Sequence, residues 1–511
     1  MDIFQAIKSE EKVLSDNGAV MHKSTGHALL DINFHATELR TKGPTALWNM
    51  FSDALSEDKR HALKWLLYLR DVRGGIGERE SFKTILHEMC KHDAELGIKF
   101  VGLPLEEYGR WDDIVSICFD KLVPSKIRNV VAEKIARQLS EDTANAKNGK
   151  SVSLLAKWMP SVCTSSKATR RNAYVMAKML KMTPRNYRKT LSLLRKTLQV
   201  VEVQMSANEW GQIDYERVPS LANIRYREAF NAHDYERREA YLDSLVKGEA
   251  KINANASFPH DIVWSYVKKR EYDETLEQMW KQQERFDSFE KTLVVRDGSG
   301  SMECATVPGS KARVLDACTA ITLYCCEHNT GAYANQFITF SDNPKLISLN
   351  GLNTLQEKLR KVYREDDCSS TDLEATFDLV LDSAKKHGLK QEDLPKTILI
   401  ISDMQFNASG CTTAVSWGMS QDNAMHVLST LMDNIKQKWT DAGYQMPRLA
   451  FWNMCAHNTG IPIQENENGL VLLSGFSRSL LKMVCSSKLD PYQILLDELD
   501  TERYAVVDSI L

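Results

Sequence analysis

From about residue 45 to residue 285, apolar side chains recur every three or four positions with charges between them. That is the spacing of helices with one buried face. The run "PTALWNMFSDALSEDKRHALKWLLYLRDV" opens the region, and similar runs follow near 81–101, 124–140, 169–182, 187–205, 224–246 and 260–287. Loops such as "RGGIGE" and "EEYGRWDD" interrupt them. Alternation of β-branched residues is scarce and no strict repeat period emerges. The pattern therefore predicts antiparallel helix pairs of an irregular α-solenoid.

After about residue 288 the pattern changes. "KTLVVRD", "AYANQFITFS", "KTILIISD", "PRLAFWNM" and "GLVLLSGFS" read as short apolar strands, separated by helical runs at 311–328, 352–362, 372–387, 424–442 and 476–485. Strands alternating with helices predict a mostly parallel sheet covered on both faces, a doubly wound α/β domain. Ligands of such sheets bind beyond the carboxyl ends of the strands, where Asp297 and Asp403 fall. The expected class is α+β multidomain, with an all-α region over 1–287 and the α/β domain over 288–511.

The stretch "LVVRDGSGSM" ends its strand on one carboxylate and two hydroxyls, Asp297, Ser299 and Ser301. Hard divalent cations take oxygen ligands of this kind. Gly298 and Gly300 are expected to let the turn curl so that both hydroxyls point one way. Further oxygens are expected from Thr371, just before a helix, and from Asp403. The set Asp297, Ser299, Ser301, Thr371 and Asp403 resembles, in order and in placement, the metal-ion-dependent adhesion site of von Willebrand factor type A domains. The resemblance implies Mg²⁺, or Mn²⁺ or Ca²⁺, with a coordination position open to an acidic ligand of a partner protein. No general base accompanies the set, so catalysis is not expected from it. The competing readings are a Gly/Ser turn with Asp403 as a helix cap and a degenerate domain that keeps the motif but binds no metal.

Residues 151–201 carry eleven Lys/Arg and no Asp or Glu, a charge of +11 that leaves −14 for the rest of a chain whose net charge is −3. Arg171, Lys178 and Lys181 are expected to share one helix face, and Arg185, Arg188, Lys189 and Lys196 the next. Lys167, Arg170 and Arg195 extend the patch, and Tyr174 and Tyr187 are placed to stack on unpaired bases. Such a ridge can track phosphates by releasing counterions. Trp158 could stack on bases in the same way, with core packing favoured for it. The alternatives are a solvated face, though those normally mix signs, or a surface that docks acidic protein.

The remaining composition narrows the classes. Eleven cysteines without a CxxC pair suit a reducing compartment and buried thiols. The N-terminus lacks the charge and apolar core of a secretory signal, and no apolar run reaches bilayer length. A soluble, cytoplasmic protein without a membrane partner is expected. "RGGIGERE" lacks the strand, lysine and hydroxyl of a P-loop and reads as a turn between helices, from which Arg70, Arg73 and Arg79 could reach RNA. Asp366–Asp367 reads as a solvated loop.

Helices followed by an A-type domain, with a basic helical stretch, resemble the Ro autoantigen (TROVE) family of RNA-binding proteins. "FPHDIVWSY" (258–266) is similar to a His-containing segment of that family, and "LLSGFSRSLLKMV" (472–484) to its closing segment. "LYLRDVRGGIGERE" and "YGRWDDI" are similar to its early helical signatures. A group of uncharacterised proteins marked by "DVRGG-GER", "LLAKWMPS" and "DGSGSM" is closer still, and pairs a helical N-terminal half with the A-type domain. The Ro resemblance implies HEAT-like repeats closed into a ring, an outer basic surface for small structured RNA and a central hole for single-stranded ends of misfolded RNA. It implies a ribonucleoprotein without enzymatic activity, expected here as a monomer. The rival expectations are a protein-interaction scaffold whose metal-dependent A domain grips an acidic partner, and a chaperone-like partner of an ATPase.

Overall fold

The computed structural model describes residues 12–14, 20–36, 39–255, 257–284, 291–307, 310–366, 372–403, 435–454, 470–477, 480–484 and 490–511. The chain forms two compact units. One comprises residues 43–49, 62–253 and 501–511, the other residues 1–42, 50–61 and 254–500. The change of sequence pattern at 287/288 is therefore not where the units divide. Two helices past residue 253, Pro259–Lys269 and Glu274–Lys281, belong with the sheet, and the last eleven residues belong with the helices. Local periodicity reports an element's type, whereas the face it buries decides its unit.

The first unit is helical, as the periodicity predicts. The run at 81–101 is two helices, Glu80–His92 and Ala94–Gly102, because Asp93 leaves the helical conformation and its side chain accepts from the Leu96 amide. A break at Asp234 likewise splits the 224–246 run into Ser220–His233 and Tyr235–Val246. Lys167–Met179 starts on Ser166, whose hydroxyl accepts from the Thr169 amide, and Pro184–Thr197 starts on Thr183 with proline at its first position. Trp65, Leu66, Ile85, Met89, Ile127 and Ile135 are among the fully buried core side chains.

Two buried carboxylates hold the "RGGIGE" turn. Arg70 donates to Asp113 at 2.7 Å, with both side chains buried. Asp71 accepts from the Arg503 guanidinium and from the Tyr504 hydroxyl, binding the turn to the C-terminal segment. Arg70 is thus withdrawn from any RNA. Removing one partner of such a buried pair costs about 3–5 kcal/mol. Within the turn, a Cβ on Gly75 would lie 2.0 Å from the Tyr68 carbonyl oxygen, whereas one on Gly102 would meet nothing within 4 Å. Gly75→Ala is expected to destabilise the protein by roughly 2–4 kcal/mol and Gly102→Ala by less than about 0.5, measured by urea denaturation. Equal effects would mean that the Gly75 contact relaxes.

The second unit is built on a six-stranded sheet, and the fold class is accordingly α+β. An N-terminal hairpin, β1 (Lys12–Leu14) and β2 (Val20–His22), precedes it and had no signal in the sequence pattern. The sheet strands are β3 (Thr292–Asp297), β4 (Gln336–Phe340), β5 (Leu346–Ser348), β6 (Thr397–Ser402), β7 (Arg448–Asn453) and β8 (Leu470–Ser474). Their order is β5-β4-β3-β6-β7-β8, all parallel except the short edge strand β5. β3 and β6 are buried along their whole length, as central strands of a covered parallel sheet must be. Val295, Phe340, Ile400, Phe451 and Leu472 form one core with Phe377 and Trp439. Arg296 points away from Val295 and reaches Thr319 on the helix Val314–His328. Helix Leu373–His387 begins on Asp372 and ends on Gly388 at φ +59°. The sheet places Asp297, at the end of β3, beside Asp403, which directly follows β6.

Candidate metal centre and cationic surface

Asp297 is fully buried where the central strand ends. Its Oδ1 accepts from the Ser299 amide at 2.8 Å, and its Oδ2 accepts from the Ser402 hydroxyl at 2.5 Å. The Ser299 and Ser301 hydroxyls lie 3.0 Å apart, so the DGSGS turn does bring them to one place. Neither glycine of the turn needs a left-handed backbone. Gly298 instead leaves room for a neighbour: a Cβ there would lie 2.8 Å from the Asp366 carboxylate, while one on Gly300 would meet nothing within 4 Å. Helix begins already at Gly300. Asp403 is buried, with 2% of its surface exposed. Thr371 lies outside the described residues.

Burial, and after it the neighbouring charge of Asp403, push the Asp297 carboxyl up to about 6; the bonds from Ser402 and Ser299 act against the rise. Two carboxylates that repel one another in a buried site, with two hydroxyls beside them, form a donor set that a hard divalent cation fits. Among the described residues no group of three or more His, Cys, Asp and Glu side chains converges. The Cys318 thiol contacts the carbonyls of Asp297 and Ile401 at 3.6 and 3.4 Å, pinning both strand ends. Burial raises that thiol to about 12 and keeps it protonated.

Ser402 and Cys318 carried no sequence signal, since their roles depend on pairing across the sheet. Asp366 was read as solvated and is not. Its side chain is 12% exposed and binds the buried Arg296 guanidinium through both oxygens. This pair closes the turn from the other side of β3. Asp367 lies outside the described residues. The segments "FPHDIVWSY" and "LLSGFS" meet within this unit: the His260 ring stacks on Phe258 and meets Phe476 edge-on at 5.6 Å. Burial lowers the His260 pKa and keeps the ring neutral.

In the helical unit, the basic stretch divides into exposed and structural members. Lys167, Arg170, Arg171, Lys178, Lys181, Arg185, Arg188, Lys189 and Lys196 are exposed. None of them forms an ion pair among the described residues; Arg188 contacts only the Cys163 thiol, at 3.9 Å. Tyr174 is 52% exposed on the stripe that runs from Arg170 and Arg171 to Lys178. Three expectations fail. Lys181 lies beyond the end of its helix, at φ +53°. Tyr187 is fully buried and donates its hydroxyl to the Pro160 carbonyl at 2.8 Å. Arg195 is half-buried and donates to the Ala156 and Met159 carbonyls and to the Ser161 hydroxyl. Tyr187 and Arg195 therefore anchor the segment "LLAKWMPS" through their polar groups. Trp158 lies under the Arg110 guanidinium, 4.7 Å from its ring centre.

One arrangement with no sequence signal is a Ser–His–Asp series. His87 bonds Asp120 at 2.9 Å and Ser116 at 3.0 Å. The Ser116 hydroxyl also reaches the Asp113 carbonyl at 2.9 Å, and its amide donates to the Asp112 carbonyl. The amide that would face a developing oxyanion is thus engaged within the helix. The series ties the helix Glu80–His92 to the turn that carries Ser116 and Asp120.

No helix among the described residues is long and apolar enough to cross a membrane. Residues 164–296 match the family model described as Domain of unknown function (DUF2828), and residues 291–500 match Domain of unknown function (DUF7788). The two matches overlap over residues 291–296, at β3. The chain is also 30% identical over 521 residues to "Uncharacterized protein L728" of Acanthamoeba polyphaga mimivirus, an alignment covering 95% of this chain and 87% of that protein. With identity sustained across both units, the chain belongs to the same protein family as the mimivirus L728 protein.

Proposed function

We propose that the protein is a non-enzymatic RNA-binding protein of the Ro type, in which HEAT-like helices present a basic surface to small structured or misfolded RNA. The C-terminal sheet unit is then a von Willebrand A-type domain that holds Mg²⁺ through Asp297, Ser299, Ser301 and Asp403, with Thr371. The observation that carries the reading is the exposed stripe over 167–196: nine Lys/Arg side chains without an ion pair among the described residues, and Tyr174 among them. Guanidinium and ammonium groups at helical spacing match a run of phosphates, and displaced counterions supply the affinity. Tyr174 offers a ring on which an unpaired base can stack. The mixture of exposed charge and one aromatic suits structure-directed binding with little sequence preference.

The test is a filter-binding titration with hairpin and single-stranded RNA at about 50 and 200 mM salt. Binding that weakens steeply with salt is expected. Absence of binding at the lower salt would remove the RNA reading.

A second reading is favoured by the pair Asp297 and Asp403: a metal-dependent scaffold that grips an acidic protein partner. A bound cation would supply a Lewis-acid position for the partner's carboxylate. The protein's own residues would hold and orient it: Asp297 and Asp403 bring charge, and Ser299 and Ser301 bring neutral oxygens. Ser402 fixes one oxygen of Asp297. Mg²⁺ in excess is expected to raise the melting temperature by mass action, and Asp297→Ala to abolish the rise. A rise that persists in the variant would place the ion elsewhere.

A further inference from the structure

A cavity of about 560 Å³ lies in the sheet unit beside the DGSGS turn, between the C-terminal part of Pro259–Lys269 and the helix Leu355–Arg364. This is the size of a small-molecule site. Its floor is apolar, with Val267, Leu315 and Leu359. Its charged lining is Arg270, Arg313, Arg360 and Arg364 together with the carboxylates Glu303 and Asp366.

The arginines are not equivalent. Arg313 is bound to Asp316 and Glu303, and Arg296, behind the wall, is bound to Asp366. Arg270, Arg360 and Arg364 are exposed and make no side-chain hydrogen bond or ion pair among the described residues, although Glu357 and Glu365 are close enough to feel Arg360 and Arg364. Arg360 and Arg364 stand four apart on one helix face, where like charges repel. The two carboxylates of the cavity lining, Glu303 and Asp366, are bound to Arg313 and Arg296, which leaves Arg360 and Arg364 side by side at the cavity without an ion pair among the described residues.

The walls are held in place by a buried network. Glu277, 1% exposed, accepts from the Leu355 amide at 2.9 Å, from the Gln356 amide at 3.1 Å and from the Tyr266 hydroxyl at 2.8 Å. Gln356 in turn donates its side-chain amide to the Arg270 carbonyl at 3.1 Å. Arg270 itself sits in the left-handed conformation that ends its helix, at φ +60°. Buried polar groups thus fix the relative position of the two elements that present the unpaired arginines.

We propose that this cavity binds a small phosphorylated ligand of mononucleotide size, with its phosphate clasped by Arg270, Arg360 and Arg364 and its flat body on the apolar floor. A dianionic phosphate offers three acceptor oxygens to three guanidinium forks, whereas a carboxylate offers two. Such a group occurs on a free nucleotide and on the 5′ end of an RNA chain. This site is separate from the basic stretch of the helical unit and does not depend on RNA binding there.

Isothermal titration calorimetry on the full chain tests it, with adenosine monophosphate, adenosine, and a trinucleotide with and without a 5′ phosphate as probes. The monophosphate is expected to bind and adenosine not. Arg360→Gln with Arg364→Gln is expected to weaken binding by more than about tenfold, with the melting temperature unchanged because both residues are exposed. A phosphorylated trinucleotide binding much more tightly than the monophosphate identifies a chain end as the ligand, and equal binding identifies a free nucleotide. The variant Lys178→Glu/Arg185→Glu/Arg188→Glu should bind the monophosphate as the native protein does. The proposal is overturned if both phosphorylated probes are silent up to about 1 mM, if adenosine binds equally well, if the arginine variant binds normally, or if the helical-unit variant loses binding.

Discussion

Lys178→Glu, Arg185→Glu and Arg188→Glu made together are expected to weaken RNA binding by roughly 100-fold or more at low salt and to reduce the slope of log affinity against log salt by about 3. All three side chains are exposed, and none has an ion-pair partner among the described residues, so the change acts on the surface potential and leaves the buried faces of their helices intact. Each reversal removes one phosphate contact and adds a repulsion. Arg195→Glu should behave differently. Its guanidinium holds two backbone carbonyls and a serine hydroxyl, so its loss should lower the melting temperature first and RNA binding only in consequence. If the triple variant binds as the native protein does, the phosphates lie elsewhere. Tyr174→Ala is expected to lower affinity for single-stranded RNA by about 1–3 kcal/mol without altering the salt slope, as competition binding would show.

The second large effect concerns Asp297. Its folded-state pKa of about 6 lies above the ordinary carboxylate value, from burial first and repulsion by Asp403 second. A raised carboxylate pKa means that the folded state holds its proton more tightly than the unfolded state does. The associated stability is present at low pH and is lost as pH rises through about 4 to 6. In chelator at neutral pH, Asp297→Asn is therefore expected to stabilise the protein, by roughly 2–3 kcal/mol. An asparagine can still accept from the Ser299 amide and can donate to Ser402. With Mg²⁺ in excess the order should invert, because the native site gains from the cation and the variant does not. Thermal denaturation of both proteins with chelator and with Mg²⁺ checks the inversion. If the variant is less stable in both media, Asp297 is structural and the cation reading fails.

Several features of the candidate site were legible along the chain because they are local. Asp297, Ser299 and Ser301 sit two apart in one turn, and the turn alone brings the two hydroxyls together. The apolar runs that become β3, β6, β7 and β8 announce themselves as strands, and β3 and β6 are buried along their whole length, since a parallel sheet covered on both faces tolerates little polar alternation. The edge strand β5 has only three residues with one buried, and so has no run to detect. Asp366 illustrates the opposite case. Beside another aspartate in a polar loop it looks solvated, yet a guanidinium seventy residues earlier takes it out of water. Tyr187 and Arg195 were miscast for the same reason: composition gives the charge and aromaticity of a stretch, but the face each side chain occupies depends on what packs beneath its helix.

The chain by itself determined the type of each long element, the order of helical and strand-bearing regions, the ends of the central strands on carboxylates and the concentration of positive charge over 151–201. These follow from periodicity and local turn chemistry, which act over a few residues. Only the tertiary structure decided that the compact units divide at 253/254, that β6 lies beside β3 so that Asp403 raises the pKa of Asp297, which cations are exposed, and that Glu277 positions an arginine-lined cavity. Each of these joins residues far apart in sequence, and burial and long-range pairing carry no periodic mark along the chain.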